Sequence, residues 1–307
     1  MLNRLRRWRE RGWREIAPEA YAAAWARFGG SVATHPVVVA RLSDFAALPT
    51  RYLGWFREDV LLAAIPVWGR HLALSKAALK AAGKKGLFDL GNAEIILPVS
   101  AQAATLPQAE RPVLRHAARY LSARHAGALR GLKAQREQLA LARPLTGFSA
   151  KFRYNQRREL RLLQEAGGIL KPISDFSPAE RAALYCDLFA RRWGFAATGA
   201  ARMAEVFALL AEFMAGEVVF LDDAPAAIQV LYRVESPEWL HVEYINGGVA
   251  PENRDFSPGS VLTWRNLEAA WQAAEAKGKT LRYSFGRADR DYKARWCELA
   301  PVFTCCT

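Results

Sequence analysis

From residue 258 the apolar positions Trp264, Leu267, Trp271 and Ala274 recur at helical spacing, and Gly278 supplies a stop. Ser257 is placed to cap this helix and Pro258 to open it, because the serine oxygen accepts a free amide and proline has none to leave unpaired. The period then changes to two. Leu281, Tyr283 and Phe285 alternate with Arg282 and Ser284, which predicts a strand with one buried and one polar face. Gly286 ends that strand and is followed by a polar run, Arg287, Asp289, Arg290, Asp291, Tyr292 and Lys293, before Trp296 returns to the core.

The same periods organise the rest of the chain. A Pro-initiated helix from Pro18 carries Tyr21, Trp25 and Phe28 to Gly29 and Gly30, and Thr34, His35 and Pro36 open a loop. Residues 52–56 and 60–68 read as paired strands, with further strands at 86–90 and 94–97. Residues 112–141 are helical in character, with Leu114, Tyr120, Leu121, Leu129 and Leu132 among many basic residues. A basic helix then runs to Gly167 and Gly168. Residues 218–221, 226–234 and 239–245 form a meander with turns between them.

Two short matches repeat in order. Ala26-Arg27 with Gly30 returns as Ala190-Arg191 with Gly194, and Ala63-Ala64-Ile65 with Arg70 returns as Ala226-Ala227-Ile228 with Arg233. A Pro-initiated helix precedes each set, at Pro18 and Pro178. Two matches at similar separation favour a duplicated unit. With Pro144 and Gly147 as the boundary signal, the expected organisation is a basic arm at 1–17, a first domain at 18–145 with a helical connector, and a second at 146–307. Each domain is an α/β (α+β) unit with a mixed sheet flanked by helices.

Composition narrows the function. The 307 residues are 51% hydrophobic, enough for two cores, and a net charge of +13 favours an anionic partner. Residues 1–16 hold six arginines and two glutamates between Leu2, Leu5, Trp8, Trp13 and Ile16. This arm reads either as an anchor worth roughly 4 kcal/mol on an anionic membrane surface or as a segment that packs its tryptophans on the body. No apolar run is long enough to span a membrane and no secretory pattern opens the chain, so a cytoplasmic or peripheral inner-face location is expected. Neither the cysteines nor the histidines have ligand spacing, so no metal is expected.

Three groups of residues carry candidate chemistry. Arg153, Arg157 and Arg161 share a helical face and can cradle phosphates, or form a solvated charged face. Lys293 can hold an anion or stabilise an oxyanion, with Asp289 or Asp291 taking a proton from an attacking amine if burial raises the pKa; alternatively Arg287, Asp289, Arg290 and Asp291 merely close a loop. His241 and Glu243 project to one side of their strand, lining an acceptor groove or an exposed sheet face.

The pattern S-P-G-x-x-L, a helix, then Y-S-F-G-x-x-D-x-x-Y-K-x-R-W is similar to the last unit of acyltransferases built from paired GNAT-like domains, the group that includes the Fem aminoacyl transferases of peptidoglycan synthesis. Segments 65–76, 152–160 and 283–293 resemble the bacterial Mig-fourteen family of antimicrobial-peptide resistance proteins. The resemblance implies two tandem GNAT-like domains with Tyr292 and Lys293 in the active region. It implies an N-acyl or aminoacyl transferase acting on an envelope component, with aminoacyl-tRNA or a phosphorylated envelope precursor as partner, or a non-catalytic membrane-associated protein that keeps the fold. The stretch Arg254, Ser257, Gly259 stands where coenzyme A users carry R-x-x-G-x-G or R-x-x-G-x-A. Serine replaces the first glycine and Pro258 removes an amide, which counts against coenzyme A. The positive charge also argues against direct capture of cationic peptides.

Overall fold

A computed structural model describes residues 2–305 of the chain; the side chains of Leu2, Asn253, Arg254 and Asp255 lie outside that description. The chain opens with helix α1 (Leu2–Arg9) and strand β1 (Trp13–Ile16), which pairs antiparallel with β2 (Arg51–Arg57). Trp13 is buried and its indole N–H donates to the Val113 carbonyl at 2.9 Å. The Glu10 carboxylate accepts from Arg51 at 2.8 and 2.9 Å. The end of the arm is thus part of the body, while Leu5 and Trp8 on α1 stay exposed.

Helices α2 (Pro18–Phe28) and α3 (Pro36–Phe45) precede a hairpin of β2 and β3 (Val60–Trp68). The loop expected after Pro36 is helical because Val38, Val39 and Leu42 are fully buried, and that packing overrides the weak propensity of a valine run. The two-residue β4 (His71–Leu72) completes the sheet β1-β2-β3-β4, followed by α4 (Lys76–Ala81) and the single turn α5 (Gln102–Thr105).

The strands expected at 86–90 and 94–97 do not form; Ile95 makes only an isolated bridge to Leu121. Side chains take the amides a neighbouring strand would have used: Glu94 N–H donates to the Glu243 carboxylate at 3.1 Å, Ile96 N–H to Ser31 Oγ at 3.1 Å, and Leu97 N–H to His125 Nε2 at 2.9 Å. The helical reading of 112–141 is also corrected. This stretch supplies β5 (Ala118–Ser122) and β6 (Lys133–Ala142), which join a second, larger sheet.

That sheet takes most of its strands from the second half. Helix α6 (Ala150–Glu165) is capped by Ser149 Oγ, which accepts from Phe152 N–H at 3.1 Å, and leads to β7 (Ile169–Pro172). Helix α7 (Pro178–Trp193) starts in a capping box between Ser177 and Glu180 and stops at left-handed Gly194 (φ 74°). Helix α8 (Met203–Leu209), β8 (Met214–Ala215), β9 (Glu217–Leu221), β10 (Ala224–Glu235) and β11 (Trp239–Val249) follow, then α9 (Pro258–Ala276), β12 (Thr280–Arg287) and β13 (Cys297–Cys305). The strand order is β5-β13-β6-β12-β11-β10-β9-β7, with β8 beside β10.

The order α2-α3-β2-β3-β4-α4 thus returns as α7-α8-β9-β10-β11-α9. Ala63, Ala64 and Ile65 lie on the second strand of the first hairpin, Ala226, Ala227 and Ile228 on the second strand of the other, and all six are buried. One core joins the halves: Tyr21, Trp25 and Val38 pack with Tyr185, Phe207 and Ile228. Across the same junction the Trp239 indole donates to the Gly30 carbonyl at 2.9 Å. Its ring lies so close to Gly29 that a Cβ there would approach it to 2.8 Å.

Candidate functional site

The site begins where two parallel strands separate. Strands β11 and β12 pair from Trp239↔Thr280 to Glu243↔Ser284 and then diverge, β11 staying with β10 and β12 turning to β6. The β10–β11 register passes from Leu231↔Tyr244 to Val230↔Asn246, leaving Ile245 as a bulge. Beyond the last shared pair, Tyr244 and Phe285 face the gap. Tyr244, which is buried, and Tyr292, which is 43% exposed, both line the cavities that open here, and desolvation raises both phenols above their ordinary pKa, so both keep their protons at neutral pH.

Two cavities meet at this tyrosine pair and share Arg192 as a third wall. One, of about 380 Å3, lies at the head of α9 between Gly259, Ser260, Thr263, Gln229 and Arg295. The other, of about 300 Å3, lies at the end of β12 and is bounded by Phe285, Arg287, Arg290, Lys293 and Trp193. A polar chain fixes the α9 head: Thr263 Oγ1 donates to the Gly259 carbonyl at 2.7 Å and accepts from Gln229 Nε2 at 2.7 Å, and Asn266 Nδ2 donates to Gln229 Oε1 at 2.9 Å.

The cations at these cavities differ in their commitments. Arg287 is tied to Glu137 at 3.0 Å and to Asp289 at 3.0 Å. Arg192, Arg290 and Arg295 make no ion pair among the described residues; the first two stack on Trp193 and Arg295 on Phe152 and Trp296. Guanidinium groups held flat by aromatic rings and short of carboxylates are suited to phosphate or carboxylate ligands.

Lys293 is nearly buried. Its Nζ donates to the Phe285 carbonyl at 2.8 Å, the Arg287 carbonyl at 2.6 Å and Asp289 Oδ1 at 3.1 Å. These acceptors use all the ammonium protons, so Lys293 closes the end of β12 and presents a fixed charge, with no proton left over for an oxyanion. Asp289 departs from the expected base. Burial pushes its carboxyl up, but hydrogen bonds from Lys293 and Arg287 outweigh that and leave it below the ordinary range. Asp291 is exposed and lines neither cavity.

The expected phosphate cradle on α6 is not assembled. Arg153 turns inward, its Nη1 donating to the carbonyls of Phe148 and of Leu145, the latter at 3.3 Å. Arg157 is exposed, Arg161 faces Glu165 at 3.8 Å, and none of the three lines either cavity. His241 and Glu243 line no groove and no open sheet face. Both are fully buried at the junction of the halves, beside Glu94 and Arg282. Ser284 Oγ donates to Glu243 Oε1 at 2.9 Å, and Arg282 Nε donates to Glu94 Oε2 at 2.6 Å. Burial pushes Glu94 up, the facing His241 and Arg282 pull it down, and it settles at about 2. Burial holds Glu243 well above, and His241 below, their ordinary values.

Ser257 precedes α9 as expected but does not cap it. Its backbone is left-handed (φ 45°), its side chain makes no capping bond, and its carbonyl accepts from Ser260 and Val261 instead. Gly259 lines the first cavity, where a Cβ would come within 2.9 Å of Val249. The Arg254 side chain lies outside the described residues. Tyr244, Arg192 and Arg295 went unread in the sequence: Tyr244 follows the alternation of the buried face, and only the bulge at Ile245 shows that it meets the cavity. No group of three or more potential metal ligands comes together among the described residues, and no helix there is long and apolar enough to cross a membrane.

The architecture is similar to the crystal structure of FemX over 96% of this chain and 97% of that one, at 11% identity and a TM-score of 0.53. Weaker likenesses run to the C-terminal domain of a putative lysylphosphatidylglycerol synthetase from Agrobacterium fabrum (12% identity, 94% and 92% covered, TM-score 0.48) and to a tandem GNAT protein from the clavulanic acid biosynthesis pathway (12% identity, 95% and 97% covered, TM-score 0.45). The fold is the tandem GNAT-like, Fem-type one, with mixed sheets flanked by helices. No curated protein matches the chain in sequence. Residues 35–305 match Mig-14, and the chain belongs to the Mig-14 family.

Proposed function

We propose that the protein is an acyl or aminoacyl transferase that modifies a component of the bacterial envelope. The observation that carries this reading is the meeting of two cavities at Tyr244 and Tyr292, with the uncommitted Arg192 shared between them. An anionic activated donor fits the cavity at the head of α9, its phosphate facing Arg192 and Arg295, and the acceptor enters along the end of β12. The acceptor's amine or hydroxyl forms a bond to the acyl carbon, the donor's ester bond breaks, and the proton released by the nucleophile ends on the leaving oxygen. The protonated tyrosine pair is suited to donate to that oxygen as charge develops on it. Lys293 adds a fixed positive charge.

The reading extends to biology and place. Adding an acyl or aminoacyl group changes the charge of the envelope and lowers the action of cationic peptides. The protein works at the inner face of the membrane, with the exposed Leu5 and Trp8 of α1 among arginines as its contact. A non-catalytic, membrane-associated binding role is the second reading, favoured by the full engagement of the Lys293 ammonium. Mass spectrometry of lipid and peptidoglycan fractions from cells with and without the protein separates them. Transfer yields a new adduct that disappears in Arg192→Ala, whereas indistinguishable envelopes defeat the enzymatic reading.

A further inference from the structure

A third and larger cavity, of about 560 Å3, lies in the first half. It sits at the head of α4, which occupies in the first half the place of α9 in the second. Its character is the reverse of its counterpart's. Ala73, Leu74, Leu79, Phe88, Leu90 and Ile95 line it, and among the described residues of its lining Lys76 and Arg119 are the charged ones and none is a carboxylate. At the head of α4, Ser75 Oγ accepts from Ala78 N–H at 3.2 Å. Two non-glycine residues of its wall, Leu74 (φ 62°) and Tyr120 (φ 57°), are held in the left-handed region, a conformation that persists only where the surroundings impose it.

The cavity is not isolated. It shares Lys76, Gly91 and Asn92 with the cavity at the end of β12. That neighbour is lined by five basic residues, Lys76, Arg192, Arg287, Arg290 and Lys293, against the acidic Asp89 and Asp289. The apolar hollow therefore adjoins, at a neck formed by Lys76, Gly91 and Asn92, the cationic chamber that holds the tyrosine pair. Lys76 at the neck is paired with Asp89 at 3.0 Å, and Arg119 is paired with Glu137, which leaves Arg290 and Arg192 as the cations open to a head group.

We propose that the hollow takes the hydrocarbon chain of an anionic phospholipid, whose head group passes the neck between Lys76 and Asn92 and enters the chamber beside Arg290. The acceptor of the transfer is then a lipid head group, an assignment that rests on the transferase reading above. Burial of a chain in such a hollow makes affinity grow with chain length, by roughly fourfold for each methylene taken up.

The test uses the whole protein and a series of lysophosphatidic acids of increasing chain length, kept below their micelle concentrations, with glycerol 3-phosphate as the head alone and a monoacylglycerol as the uncharged control. Affinity should climb with chain length, weaken at least tenfold without the phosphate, and be absent for glycerol 3-phosphate. Ala77→Trp, at an exposed position of α4 on the cavity wall, should reduce long-chain binding at least tenfold with an unchanged unfolding curve. Ala93→Phe, inside the cavity, is the second block. Affinity that ignores chain length, or long-chain binding that survives both substitutions, overturns the assignment. The two readings fail separately. Chain-dependent binding with no product from any activated donor keeps the cavity and removes the transfer, whereas transfer to an acceptor without a chain keeps the enzyme and removes this acceptor.

Discussion

The two halves of the chain run through the same helices and hairpin and then part at the third strand. In the second half that strand is the eleven-residue β11, and the helix after it is the nineteen-residue α9 with an uncapped head. In the first half the strand is the two-residue β4 and the helix the six-residue α4, capped by Ser75. A long third strand can pair with β12 and then diverge from it, which makes a polar cleft. A stub cannot, and the space it leaves is apolar. The same position in the two halves thus has two outcomes, decided by the length of the third strand.

The junction between the halves should give the largest effect on breaking. Glu94, 1% exposed, reaches across it to Arg282. Arg282→Met leaves that carboxylate buried and unpaired and should lower the unfolding free energy by about 3–5 kcal/mol in urea titration; a loss below 1 kcal/mol would show that the halves do not depend on this pair. The equivalent isoleucines sharpen the comparison. Ile65→Ala and Ile228→Ala should each cost about 2–5 kcal/mol, but only Ile228 lines the cleft at α9, so only its loss should also weaken donor binding. Equal effects of both on binding would erase the distinction.

The pH dependence separates the junction from the cores. Burial pushes His35, His116 and His125 down to about 4, so their neutral forms are favoured by folding. Stability should be full above about pH 6.5 and fall as the pH drops towards 4. Glu94 is depressed, so its contribution persists above the unfolded value and is lost only as the pH falls towards about 2. Glu243 has the opposite sign: with a raised folded pKa, its contribution is present below the unfolded value and lost as the pH rises. Glu243→Gln should therefore gain on the wild type from acid to neutral pH, and parallel curves for the two would contradict this. The smallest effect belongs to α1. Leu5→Ser with Trp8→Ser should change stability by less than about 0.5 kcal/mol while weakening binding to anionic vesicles roughly tenfold.

What could be read from the sequence follows from whether local pattern and tertiary demand agree. They agree in α9, β12 and the meander, where the apolar spacing matches the buried faces. They conflict in β6, whose sequence KAQREQLALA is built from good helix formers yet is a strand because β12 and β13 flank it on both edges. The alternation in β11 and β12 was legible, but it did not show that the polar face is covered by the first half, so His241, Glu243 and Ser284 became a buried junction and not a groove. The Lys293 turn was found because its charges are dense. Its donors are spent on two backbone carbonyls and the Asp289 carboxylate, while the arginines without an ion pair among the described residues come from α7 and from the turn after β12, segments far apart in the chain. Tyr244 needed the bulge at Ile245, which no residue pattern marks.

The central claim is that the separating strands of the second half form the transfer site, with the tyrosine pair at its centre. Its most direct test is mass spectrometry of envelope fractions from cells producing the wild type or Tyr244→Phe, matched for protein level and fold. The expected result is an acyl or aminoacyl adduct in the first that falls by about a hundredfold or more in the second. An adduct of equal abundance in both, or none in either, would contradict it.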